Sequence, residues 1–203
     1  MSLLQWNIRY RAGEQLFETP APLVTRFVEG LAAGRALDLA SGPGRNALYL
    51  ASQGWRVTAV DGSPIAIGIL RARARDKGLQ LESKIADLER RQFEIEPESY
   101  DLICDCYYLQ RDLIAPMKAG VRPGGWMIAI VHLAGPGDPE GTATRAKSGE
   151  LRRFFEDWTI LHDYEGTPGE SCHQHAVAEI VAQKPSVSGP QAEAPEQSTV
   201  SPE

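Results

Sequence analysis

Asp38, Gly42, Gly44 and Asp61 are the residues whose types and spacing are best suited to chemistry. The first three stand in the segment DLASGPGRNALYLA, and Asp61 closes WRVTAVD, 19 residues after Gly42. Glycine lacks Cβ, so the backbone at 42 and 44 can turn tightly and approach a ligand. A helix starting just after the glycines offers free amides and a partial positive charge. A carboxylate at position 61, ending the next strand, can accept hydrogen bonds from both hydroxyls of a ribose. This is the chemistry of holding a nucleoside-containing cofactor, and two kinds fit. Read as Gly42-x-Gly44-x-x-Ala47, the loop matches the dinucleotide fingerprint, which seats a pyrophosphate at the helix N-terminus. Asp38 would be unwelcome beside a pyrophosphate. It suits a ligand with a cationic amino end, such as S-adenosylmethionine (SAM), with its α-amino group, α-carboxylate and sulfonium.

Further candidates lie near these. Asn46, in the first turn of the helix, could donate to a ligand carboxylate. Ala40, Gly62 and Ser63 flank the two acids. Ala86-Asp87-Leu88 stands where another strand should end, and Cys104-Asp105-Cys106 where a later one does. In open α/β sheets ligands bind at that carboxyl edge. Tyr107, Tyr108 and Arg111 follow and could line a second pocket, and His132 ends a further apolar run. Each has a plainer reading: Asp61 and Asp87 as caps, Asp38 as a turn residue, the cysteines as small buried apolar groups. Cys172, His173 and His175 invite a metal, but their spacing is poor for a closed zinc site, and no metal is expected.

The elements that must position these residues alternate. A helix is expected over 19–34, with Thr19 as cap and Gly34 as stop, then a strand at 35–40 and a helix at 44–54. A strand at 55–61 precedes a helix at 63–78, in which Ser63 suits the N-cap, Pro64 the first turn and Gly78 the C′ position. A strand ending near Ala86 leads to YDLICDC (100–106), a helix at 108–120, GWMIAIVHL (125–133) and a helix at 150–157. Two closing strands, WTILHDYE and HAVAEIVAQK, have almost no helix between them and can pair antiparallel as an edge hairpin. Strands alternating with helices imply an α/β fold with a mostly parallel sheet covered on both faces.

The chain has 203 residues, 42% hydrophobic and 24% charged, with net charge −6. That suffices for one α/β domain with a sizeable core. The acidic balance argues against nucleic acid, whose affinity depends on neutralising phosphates. There is no signal-like or membrane-length apolar run, and three cysteines make no disulfide framework, so a cytoplasmic protein without membrane partners is expected, as monomer or homodimer. Residues 185–203, with four prolines, are expected to be a disordered tail.

Together, Asp38-x-Ala40-x-Gly42-x-Gly44, Asp61, Ala86-Asp87-Leu88, Tyr100-Asp101-Leu102-Ile103, Arg122-Pro123-Gly124-Gly125 and the opening Trp6-x-x-Arg9-Tyr10 resemble small bacterial class I SAM-dependent methyltransferases of the tellurite-resistance or thiopurine-methyltransferase-like type. Ala40 replaces the usual first glycine. The resemblance implies a Rossmann-like three-layer sandwich with seven strands, the last antiparallel, over a domain of residues 1–184 whose first 34 form a helical cap. It implies SAM as cofactor, S-adenosylhomocysteine (SAH) as product and a small-molecule methyl acceptor. Trp6, Arg11, Asp38, Ala40, Gly42, Asn46, Asp61, Gly62, Ser63, Ala86, Asp87, Leu88, Asp105 and Cys106 are then the expected cofactor contacts, with Asp87 on the adenine amino group. Trp6, Arg9, Tyr10 and Arg11 could fold over the methionine end as a lid. Asp105, Tyr107, Arg111 and His132 are candidates to act near the transferred methyl. Competing readings are a protein or RNA methyltransferase, an NAD(P)-dependent oxidoreductase and a non-catalytic SAM-binding module.

Overall fold

The computed structural model describes residues 2–135, 137, 140–170 and 175–186. The tail expected at 185–203 therefore lies almost wholly outside the described residues, as do Cys172 and His173. The elements run α1 (Leu3–Arg11), α2 (Pro22–Val28), β1 (Arg35–Leu39), α3 (Arg45–Ser52), β2 (Arg56–Asp61), α4 (Pro64–Asp76), β3 (Glu82–Ile85) and β4 (Tyr100–Cys106), then α5 (Ile114–Gly120), β5 (Val121–His132), α6 (Glu150–Phe154), β6 (Thr159–Gly166) and β7 (Val177–Gln183).

One seven-stranded sheet has the order β3-β2-β1-β4-β5-β7-β6. β1 to β5 are parallel, and β7 inserts antiparallel between β5 and β6. The expected Rossmann-like α/β architecture with an antiparallel last strand is thus present. Helices cover both faces. One core joins α2, α3 and α4 to the sheet through Leu23, Val24, Leu50, Ile67 and Leu70; the other joins α5 and α6 through Ile114, Met117, Leu151 and Phe155. Among the described residues no helix is long and apolar enough to cross a membrane.

Local signals set most boundaries. Ser63 caps α4 by accepting from the Ala66 amide, Pro64 opens it, and Gly78 follows it at φ +64°. Other boundaries differ from expectation. The helix expected at 19–34 is only Pro22–Val28, because Pro22 sets its start after Ala21 and Gly30 turns left-handed at φ +88°. Residues 108–110 do not join the helix expected there, which begins with a 3-10 turn at Arg111–Leu113. The Arg122–Gly125 turn is a bulge inside β5, where pairing skips from Tyr100–Val121 to Leu102–Trp126.

Because β1, β2, β4 and β5 run parallel, Leu39, Asp61, Cys106 and His132 end on one edge of the sheet. α1 lies over that edge, packed on α4.

Candidate active site

The carboxyl edge carries a cavity of about 670 Å³. The β1–α3 loop forms its floor. Ala40, Gly42 and Gly44 all take positive φ, at 49°, 52° and 84°. All three motif positions are therefore left-handed, which is the reason for glycines there, and Ala40 holds that conformation against its own Cβ. Gly44 is required twice over: a Cβ on it would stand 2.0 Å from Cδ1 of Leu70 in α4.

Two acids frame this loop. Asp61 accepts from the amides of Gly42 at 2.8 Å and Ser63 at 2.7 Å, one on each oxygen. It therefore fastens the glycine loop to β2 and keeps one lone pair per oxygen for a ligand in the cavity it lines. Burial raises its pKa, opposed by those two amides. Asp38 is buried, and its Oδ2 has no hydrogen-bond partner. Burial, opposed by the Ala47 amide and the Arg45 charge, pushes its carboxyl up to about 7. An orphaned carboxylate oxygen at a ligand cavity fits an ammonium group and repels a phosphate.

Other expected cofactor residues divide. Trp6, Ala40, Gly42, Asn46, Gly62, Asp87, Leu88 and Cys106 line the cavity with the two acids. Asn46 is buried and accepts the Ala21 amide at 2.9 Å, so its NH₂ group has the remaining donor capacity. Asp87 caps the turn after β3 by accepting from Glu89 and Arg90. Arg11, Ser63, Ala86 and Asp105 are not brought to the cavity wall. Arg11 ends α1 in solvent, and Ala86 packs in the core. The fully buried Ser63 hydroxyl instead donates to Asn7 of α1 while capping α4, which ties the overlying helix to the site. Asp105 is buried with an unpartnered Oδ1, and burial, aided by the Asp38 charge, holds its pKa well above the usual carboxylate range.

α1 borders the cavity, without Arg11. Leu3, Trp6, Arg9 and Tyr10 line the cavity; Trp6 stacks on Tyr10 at 5.6 Å, and Arg9 lies over Trp6 and pairs with Glu14. The Tyr10 hydroxyl approaches Gly42, where a Cβ would meet it at 3.1 Å.

The opposite half of the cavity holds Cys106, Tyr107, Tyr108, Leu109, His132, Thr144, Arg145 and His175. Tyr107 has φ +66°, a strained conformation for a bulky residue. Its hydroxyl donates to Glu170 at 2.9 Å, and Glu170 forms a two-pronged pair with Arg45, whose guanidinium lies 5.3 Å from the Tyr107 ring. Burial and the Glu170 carboxylate push the Tyr107 phenol far up, so it stays protonated. His132 lies between Tyr107, at 5.4 Å, and His175, at 6.0 Å and edge-on. Arg111 is not at the wall: it forks onto Glu150 and donates to the carbonyls of Thr142 and Arg145, holding the loop behind the cavity.

Sequence reasoning missed Arg45, Glu170, Thr144 and Arg145, and treated His175 only as a metal candidate. Arg45 carried a faint signal in following Gly44. Glu170, 125 residues away, carried none. Among the described residues no group of acids, histidines and cysteines could hold a metal ion.

A family model described as "Tellurite resistance protein TehB" matches residues 17–179. "Hemagglutinin 1" of Eikenella corrodens is 32% identical over 155 residues, 72% of this chain and 50% of that protein. The "Probable S-adenosyl-L-methionine-dependent methyltransferase TehB" of Haemophilus influenzae is 27% identical over 146 residues, 67% of this chain and 49% of that protein. The chain thus spans about half the length of the curated relatives it matches. The crystal structure of TehB from Haemophilus influenzae has the same fold, with TM-score 0.68 and 23% identity, over 79% of this chain and 61% of that one. With a match that runs from the approach to the glycine loop into the final strand, the chain belongs to the TehB family.

Proposed function

We propose that the chain is a SAM-dependent methyltransferase acting on a small-molecule acceptor, through a domain formed by residues 1–184. The observation that carries this is Asp38: a buried carboxylate with an unpartnered oxygen, at the ligand edge of the sheet beside a left-handed glycine loop. The relatives named for this activity support it.

When bound, SAM supplies a methyl group already activated on a sulfonium, so the protein's work is placement and exclusion of water. Asp38 takes the α-ammonium, and the NH₂ group of Asn46 faces the α-carboxylate. Asp61 accepts the ribose hydroxyls while holding the amides of Gly42 and Ser63. Asp87 and Leu88, with Leu3 and Trp6 above, receive the adenine. α1 shields this half from water, and the wall of Cys106, Tyr107 and His132 receives the acceptor. Tyr107, locked onto Glu170, shapes that wall and does not remove a proton.

The chain's net charge of −6 favours a small acceptor over RNA. A nicotinamide dinucleotide is disfavoured by Asp38, which would face its pyrophosphate. Free thiols at Cys104 and Cys106 fit a reducing cytoplasm. The test is methyl turnover: SAM with a panel of small thiols, amines, selenite and tellurite should yield SAH with at least one acceptor. SAH binding with no turnover on any panel member would instead support a non-catalytic binding module.

A further inference from the structure

The loop between β5 and α6 presents a second recognition element. Past His132 the chain leaves the sheet and returns: the Ala146 amide donates to the His132 carbonyl at 2.9 Å, and the Ala134 amide to the Ala146 carbonyl at 2.8 Å. This pairing seats Thr144 and Arg145, both cavity-lining, beside the end of β5. The loop's tip closes on itself through Thr142 and Arg145. Arg111 then fixes it from behind, with its fork on Glu150 and its remaining donors on the carbonyls of Thr142, Ala143 and Arg145.

The charges at the cavity are unevenly committed. Arg9 is paired with Glu14, and Arg45 with Glu170. Of the lining acids, Asp38, Asp61 and Asp87 are the expected cofactor contacts, and Glu89 stands near Tyr108. Among the described residues, no carboxylate stands within ion-pair distance of Arg145, although it lines the acceptor half. A guanidinium there presents a planar fork that matches a carboxylate. The flat rings of Tyr107, His132 and His175 beside it offer surface to an organic body, which an inorganic oxyanion lacks.

We infer that Arg145 is a specificity residue that reads a carboxylate on an organic methyl acceptor, and that Arg111 is the positioning residue holding it there. This rests on the proposed methyl transfer, whose acceptor class it narrows.

The test titrates SAH-saturated protein with benzoate, thiosalicylate and 3-mercaptopropionate, each against its neutral amide. Wild type should prefer at least one carboxylate over its amide by about tenfold or more, the order of one charge-assisted hydrogen bond. Arg145→Gln should abolish that preference with SAH affinity unchanged, which also shows the variant is folded. Arg111→Lys, which keeps the charge but loses the fork, should weaken the preference in the same way. Intact SAH binding with no carboxylate preference in wild type, or a preference that survives Arg145→Gln, would overturn this subsite alone. Selenite binding without carboxylate–amide discrimination would overturn it as well. Absence of SAH binding would remove the functional reading and the subsite with it.

Discussion

Asp61 carries two tasks on one carboxylate. It holds the glycine loop through the amides of Gly42 and Ser63, and its remaining lone pairs face the cavity. Asp61→Ala should therefore weaken SAH binding by about tenfold or more, since each hydrogen bond to a charged group is worth roughly 1.5–3 kcal/mol. Titration of the variant checks this; parental affinity would contradict the ribose assignment. Ala40 makes the opposite case, a residue whose conformation suits another type. At φ 49° it carries a left-handed cost of about 1–2 kcal/mol, and glycine would return about 0.4–1 kcal/mol of that to the unfolded chain's entropy. Ala40→Gly should then stabilise the protein by about 0.5–1 kcal/mol in denaturant unfolding, so a lower midpoint would contradict the strain. Read from sequence, that alanine is only a small methyl beside the ligand; its main consequence is backbone strain, which residue type alone does not show.

Leu70 of α4 occupies the space that a Cβ on Gly44 would need. A methyl there would collide with Leu70 and sit at φ +84°. Gly44→Ala should destabilise by about 2–4 kcal/mol, combining overpacking and backbone strain, as measured by thermal or denaturant unfolding. A loss below about 0.5 kcal/mol, the scale of ordinary surface changes, would show that α4 can shift. Elements with local punctuation were legible in the sequence: Ser63, Pro64 and Gly78 bound α4, and Tyr100–Cys106 forms a strand over its full length. Elements governed by distant partners were not. Residues 108–110 follow the left-handed Tyr107, whose hydroxyl donates to the distant Glu170; α2 is the exception, shortened by its own local Pro22 and Gly30. The acid of the Tyr100-Asp101-Leu102-Ile103 motif shows the same limit. Asp101 accepts the Arg35 amide and pairs with Arg122 at the opposite end of the strands, so its role is to fasten β1 to β4.

Across the whole molecule, the carboxyl edge concentrates buried acids. Asp38 is pushed up to about 7, Asp61 is raised and Asp105 is raised well above its ordinary value, burial being the largest cause for each. A carboxyl with a raised folded pKa binds more protons folded than unfolded, so stability falls as pH rises from the unfolded value toward the folded one. For Asp38 that window runs from 3.8 to about 7. The ligand-free protein should therefore melt lower at pH 8 than at pH 5, and Asp38→Asn should flatten that slope; a melting temperature that rises over the range would contradict the burial of these charges. The candidate site was legible where one loop and its neighbours formed it, from Asp38 to Leu88. It was illegible where Arg45 meets Glu170 across 125 residues and where Arg145 reaches the cavity through pairing with His132. Calorimetric titration with SAH and, separately, with NADH reads out the identity of the cofactor. SAH should bind saturably and lose that binding in Asp38→Asn, and NADH should give no heat; binding of NADH with none of SAH would show a dinucleotide site instead.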